Sequence, residues 1–280
     1  MAKQSNLLIF ILTIGVFGII NTEMGVIGIL PSLAEHYDVS VSQAGLLVSL
    51  FALAVAISGP TMPLLFSGLN RKKAMLLVLG VFVLGNSVSI FATNFTIALI
   101  ARVVPAFFHP IYCSMAFTVA AASVSKEEAP KAVSKVFIGV SAGMVIGVPI
   151  VSFIASTASI EMAMLFFAIV NAIVFIATIL FVPSMPVVER LSYGAQLRVL
   201  KKSITWISIV TVILLNSAVF GVFSYLAEYL KTVTNMSSNS ISLILVIFGG
   251  ANIIGNIVAG KLLTKNAKKY IISFPFALGV

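Results

Sequence analysis

Charge is scarce in this chain. Only 9% of its 280 residues are Asp, Glu, Lys or Arg, and 60% are hydrophobic. Soluble domains run at roughly 25% charged and 45–50% apolar, so a water-soluble fold is excluded. A single cysteine, Cys113, rules out an intramolecular disulfide; its place inside an apolar run marks it as a small packing residue. Two histidines, that cysteine and eight scattered acidic residues leave no cluster able to hold a metal. No metal or other cofactor is expected. No nucleophile–base order or paired-carboxylate arrangement points to chemistry on a substrate, so the chain is not expected to be an enzyme. The net charge of +9 would suggest nucleic acid if the cations massed on one face. They are dispersed over short gaps instead, and nucleic acid is excluded as a partner.

What the chain has is long apolar runs, at 7–30, 42–66, 74–93, 95–122, 130–156, 161–182, 203–226 and 239–263. Spans of about 20 residues match the thickness of a bilayer, and backbone in lipid must bond to itself, which makes the spans helices. The expected fold is all-α, a polytopic membrane bundle of about eight full transmembrane helices and the start of a ninth. Fifteen of the seventeen Lys and Arg residues fall in alternate gaps: Lys3, then Arg71 to Lys73, Lys126 to Lys135, Arg190 to Lys202, and Lys261 to Lys269. Basic loops stay on the cytoplasmic side. This predicts a multi-pass protein of the cell membrane with its N-terminus inside and the lipid bilayer as its partner. The first run carries Glu23 and lacks a small-residue cleavage site, so it reads as a retained span.

Turn signals at 36–40, 93–94 and 157–159 join the spans as tight hairpins. The longest polar stretch, opened by Pro183 and Pro186, divides a six-helix unit (1–183) from a cytoplasmic central loop (184–202) and a second, incomplete bundle (203–280). A repeat crosses that boundary at an offset of 196 residues: Gly59 to Lys73 falls on Gly255 to Lys269, with Lys72-Lys73 on Lys268-Lys269. A parallel repeat of six helices is a transporter architecture; two unrelated amphipathic hairpins are the alternative. The stretch 270–280 reaches about halfway across the hydrocarbon core at ~1.5 Å per residue. A truncated or fragmentary second bundle is therefore expected. Gly255 to Lys261 mimics a phosphate loop, but Leu262 stands where Ser or Thr is needed and the segment lies in a span.

Glu23 and Arg102 are the formal charges well inside the spans. Both fall about seven residues from the outer end of their runs, hence at matching depth. An ion buried in a membrane is costly unless paired or wet. Two readings stand open: a structural ion pair, or a cavity site where Glu23 exchanges a proton and Arg102 sets its affinity. His109 lies two helical turns beyond Arg102 on the same face, and Pro105 and Pro110 should kink that helix. It is either a packing histidine or a proton relay. Asn21, Thr22 and Asn216 are substrate-cavity candidates that could equally bridge helices, the reading also given to Asn86, Asn171, Asn252 and Asn256. Gly139, Gly143 and Gly147 form an i, i+4, i+8 stripe followed by Pro149, a pattern that lets helix backbones approach closely.

These residues resemble the major facilitator superfamily, specifically its twelve-helix drug:proton antiporters near bacterial sugar and purine efflux permeases. The likeness runs through Thr22-Glu23-Met24-Gly25, Leu30-Pro31-Ser32-Leu33-Ala34, Val39 to Gly45 and Ser58-Gly59-Pro60. Gly139, Gly143 and Gly147-Val148-Pro149 match the family's antiporter motif, and Arg102 matches the arginine of its fourth-helix motif, which is associated with proton coupling. Ser67 and Asn70 replace the family's aspartate and glycine ahead of the cytoplasmic basic loop, leaving Arg71, Lys72 and Lys73. Pro105 and Ala106 stand where glutamine and glycine are common. The resemblance implies a monomeric secondary transporter that moves a small organic solute (drug, sugar or nucleoside) outward against protons by alternating access. A non-transporting remnant and a uniporter or importer of the same fold are the alternatives.

Overall fold

A computed structural model describes residues 2–187, 194, 198–236 and 238–277. Among them there is no strand. The helices are α1 (Ala2–Met24), α2 (Leu30–His36), α3 (Val41–Ala44), α4 (Leu46–Ser58), α5 (Met62–Leu65), α6 (Arg71–Ile90), α7 (Phe95–Ala106), α8 (His109–Ala122), α9 (Ala129–Val145), α10 (Gly147–Thr157), α11 (Ile160–Phe181), α12 (Ser203–Thr232) and α13 (Ser238–Ala277). Seven of the described segments are long and apolar enough to cross a bilayer: Ser5–His36, Val41–Ser58, Arg71–Ile90, Phe95–Ala122, Ala129–Thr157, Ile160–Phe181 and Ile247–Phe274. The run at 203–226 lies in α12, whose described apolar part is Ser203–Val219. Residues 188–193 and 195–197 of the central polar stretch, Arg190 included, fall outside the described residues; Arg198–Lys201 within it forms a 3₁₀ turn.

Local chemistry sets the helix ends. Ser40 and Gln43 close a capping box that starts α3, and Asn94 and Ser159 side chains accept from Ile97 N and Met162 N to start α7 and α11. The first span tightens to 3₁₀ over Gly25–Ile29 before α2 begins at Leu30-Pro31, where proline's missing N–H is harmless. In the fourth span Pro105 and Pro110 separate α7 from α8 at Phe107-Phe108, the break their positions predict.

The first span is the axis of the described bundle. It packs most heavily on α9, and also on α11 and α8. Leu12, Val16 and Ile19 are fully buried there beside Tyr112, Phe82, Met75 and Leu79. Leu84, Phe91, Ile173, Ile176 and Leu180 point outward, as side chains facing lipid tails do. α13 lies along α9. That seam is polar: Ser141 Oγ donates to Asn252 Oδ1 at 3.0 Å, Asn256 Nδ2 donates to Ser141 Oγ at 2.8 Å, and Ser134 Oγ donates to the Asn256 carbonyl.

Two details refine the sequence reading. Arg71, Lys72 and Lys73 are not a loop but the first turn of α6. Asn70 caps that turn, accepting from Lys72 N at 3.0 Å and Lys73 N at 3.4 Å. The start of a ninth helix is continuous with α13 across a kink at Asn266 (φ −158°, ψ 86°), whose side chain accepts from Lys269 N at 3.1 Å. At the repeat offset of 196, Asn70 falls on Asn266 and Lys73 on Lys269. The same residue type thus makes the same capping bond at both positions.

Candidate functional site

Glu23, Arg102 and His109 come together, in an arrangement the spacing did not predict. His109 Nε2 lies 3.1 Å from Glu23 Oε2, with the two side chains 10% and 17% exposed. Arg102, expected to pair with the Glu23 carboxylate, donates Nη2 to the Glu23 backbone carbonyl at 2.6 Å and Nε to the Leu47 carbonyl at 2.8 Å. The physical reason is the change of helix type after Met24. Where the ladder tightens to 3₁₀, carbonyls lose their regular partners and become acceptors for a side chain. The break between α7 and α8 meanwhile sets His109 on the first turn of α8, within reach of the carboxylate.

Phe51 of α4, which sequence reasoning missed, sits between the two basic groups. Its ring carries the Arg102 guanidinium at 5.1 Å and meets the His109 ring edge-on at 6.1 Å. No periodicity marks a phenylalanine contributed by another span. Cys113 Sγ lies 3.8 Å from His109 Nε2, so it packs against the site. A carboxylate against an imidazole can hold one proton between them. In a low-dielectric interior the pair is far cheaper to bury than either ion alone.

Asn21 and Thr22 precede this pair but face elsewhere. Thr22 is 3% exposed; its hydroxyl donates to the Gly18 carbonyl at 2.8 Å and accepts from Asn171 Nδ2 at 3.0 Å and Asn86 Nδ2 at 3.4 Å. It knits the first, third and sixth spans together, the helix-bridging alternative to a cavity role, and its hydrogen-bonding capacity is spent on those contacts. Asn21 is fully buried against Gly147 of the glycine stripe and has no protein partner for its amide. The stripe packs on the first span at backbone distance. A β-carbon built on Gly139 would stand 3.2 Å from Phe17 N and closer still to the Thr13 carbonyl, and one on Gly143 would stand 3.2 Å from Asn21 N. Pro149 follows at the outer side of α10, just past the break at Ile146.

Asn216 is apart from that cluster. It lines a cavity of about 290 Å³ between α9, α12 and α13, with Ser141 and Asn252 as the other polar groups and Phe137, Met144 and Phe248 among the apolar ones. Ser141 was not anticipated; the trace in the sequence is its seven-residue spacing from Ser134, which puts both on the face of α9 opposite the glycines. Among the described residues no group of three His, Cys, Asp or Glu is placed to hold a metal.

Comparison with known proteins decides the family. The description of the Major Facilitator Superfamily matches residues 12–280. The chain belongs to that superfamily. Within it the chain is similar to the uncharacterized MFS-type transporter YtbD of Bacillus subtilis (strain 168), 33% identical over 267 residues that cover 95% of this chain and 67% of the relative. It is also similar to the inner membrane transport protein YdhP of Escherichia coli (strain K12), 29% identical over 96% of this chain and 69% of that one. The fold matches two solved superfamily structures at 15% identity. These are the proton:xylose symporter XylE, with a TM-score of 0.75 over 94% of this chain and 70% of that one, and the human organic anion transporter MFSD10, with 0.73 over 91% and 72%. In this superfamily member the basic turn is held without an aspartate. Asn70 Nδ2 donates to Ser184 Oγ at 2.8 Å, Arg71 N to the Met185 carbonyl at 3.1 Å, and Lys72 Nζ to the Ile179 carbonyl at 2.8 Å. Asn70, Arg71 and Lys72 therefore brace the start of α6 against the end of α11 and the residues that follow it.

Proposed function

We propose that this superfamily member is a secondary active transporter of the cell membrane that exports a small organic solute in exchange for protons. In this reading residues 1–183 form a six-helix unit that rocks against the helices of 203–280. The Glu23–His109 pair carries the proton, and the cavity holding Asn216 takes the solute. The observation that supports it is the 3.1 Å contact between a carboxylate and an imidazole within apolar spans. Such a pair has two protonation states differing in charge, and a proton biases a conformational cycle only through different affinity for the two openings. The N-terminus lies on the cytoplasmic side and the unit acts as a monomer.

Inverted membrane vesicles test this with a panel of neutral sugars, nucleosides and amphiphilic dyes. At least one solute should accumulate inside energised vesicles, and a protonophore or Glu23→Gln should abolish that accumulation while the protein still inserts. Accumulation that persists after collapse of the proton gradient, or is unchanged in Glu23→Gln, would retire the coupling assignment.

A further inference from the structure

Arg102 is a buried cation with no carboxylate in contact among the described residues. It is 8% exposed, and its Nε and Nη2 bond to backbone carbonyls. The ion pairs among the described residues are His36–Glu161 and His109–Glu23, so the nearest acidic side chain is engaged elsewhere. Two carbonyl dipoles and the face of Phe51 solvate a guanidinium but leave its charge in place.

Beside it lies a cavity of about 20 Å³ whose polar wall is Arg102, Asn86, Ser89 and Tyr37, closed by apolar residues that include Val26 and Met164. About 10–15 Å³ of such space holds one water. The cavity therefore has room for about one particle of water's size. Its wall is rich in donors and has no acidic side chain. Asn86 Nδ2 gives one N–H to Thr22, leaving the other. Tyr37 adds a phenol, whose pKa is raised by burial and then by Glu161, so it stays a protonated donor. Ser89 already donates to the Gly85 carbonyl at 2.9 Å. The site joins a full positive charge, neutral donors and room for about one small particle.

We propose that this cavity binds one monatomic inorganic anion, chloride under cellular conditions, held by Arg102 with Asn86 and Tyr37 as neutral donors. The anion cancels the buried charge and stiffens the Arg102 brace between Glu23 and Leu47. Binding needs no transported solute, so this site and the exporter reading stand or fall separately.

Thermal unfolding of the purified full chain in detergent, at constant ionic strength, tests it. Replacing sodium gluconate by sodium chloride or bromide should raise the midpoint saturably, and sulfate should not. In Tyr37→Phe the half-saturating chloride concentration should rise about tenfold, the loss of one hydrogen bond to a charged group. Arg102→Gln should remove the response if it folds; Tyr37→Phe keeps the test decisive if it does not. Equal midpoints in chloride and gluconate would mean that water fills the space and would overturn the proposal. So would a sulfate response equal to that of chloride, or an unchanged half-saturation in Tyr37→Phe.

Discussion

Adding one methyl group at Gly139 should unseat the first span, whereas the same methyl at Gly80 should not. Both glycines lie inside helices, and alanine gains about 1 kcal/mol over glycine from helix propensity alone. At Gly80 the new carbon would meet Phe175 at 3.6 Å, an ordinary contact with a side chain that can adjust. At Gly139 it would fall 3.1 Å from the Thr13 carbonyl carbon, 3.2 Å from Phe17 N and nearer still to the Thr13 oxygen. All of these are backbone atoms of another helix and cannot rotate away. The two helices must separate by some tenths of an ångström along their longest shared seam, and overpacking of this kind costs about 1–3 kcal/mol. Gly80→Ala should be neutral or stabilising by about 1 kcal/mol, and Gly139→Ala less stable than it by about 2 kcal/mol or more. Paired thermal-unfolding midpoints in one detergent read the difference directly. Equal midpoints would refute the claim that the glycine stripe exists for close approach to the first span.

Asn70→Ala and Asn266→Ala should each cost about 1 kcal/mol of helix-start stability, read as faster hydrogen exchange confined to the turn that follows; an effect at only one position would break the equivalence of the repeats. Thr22→Val should lower the unfolding midpoint by leaving buried Asn86 and Asn171 amides short of an acceptor, a loss of about 1–3 kcal/mol, yet leave the solute KM unchanged. A selective KM change would make Thr22 a cavity residue. Asn216→Ala should raise KM with little change in stability, since among the described residues its Nδ2 bonds to the Val212 carbonyl within its own helix; an unaltered KM would move the solute elsewhere.

The helical, membrane-spanning architecture was legible because hydropathy and loop charge act residue by residue, and the bilayer permits few solutions. Pro105 and Pro110 announced the break in the fourth span for the same local reason, a missing N–H. The glycine stripe was legible as a close-packing face, though not which helix it meets. The site was legible only as a set. Depth along each run brought Glu23 and Arg102 to one level and face placed His109 two turns beyond, but the partners depended on a 3₁₀ turn over Gly25–Ile29 and on Phe51 arriving from α4. Neither leaves a periodic trace. Thr22 and Asn216 show the same limit: a polar residue in a span reads alike whether it faces a cavity or a neighbouring helix.

The exchange of partners changes how a proton would act. Had Glu23 paired with Arg102, protonation would have left a bare guanidinium in the bundle, a penalty of several kcal/mol borne by one conformation. With the carboxylate on His109 and Arg102 tied to backbone carbonyls, the proton enters a pair whose members can both change charge, and the guanidinium keeps its contacts throughout. The pair without the shared proton, net anionic, and the pair that holds it, net neutral, differ by one charge without stripping any group of its partner. That favours a modest difference in stability between the two openings over a large trap, as a cycle that must run in both directions requires. It also separates the roles of the two basic residues. His109→Asn should shift the pH at which exchange is half-maximal, because it removes one of the two sites that share the proton. Phe51→Leu, which withdraws the ring from Arg102, should lower the unfolding midpoint while leaving that pH in place. If Phe51→Leu moved the pH profile as far as His109→Asn, the guanidinium would belong to the proton path after all.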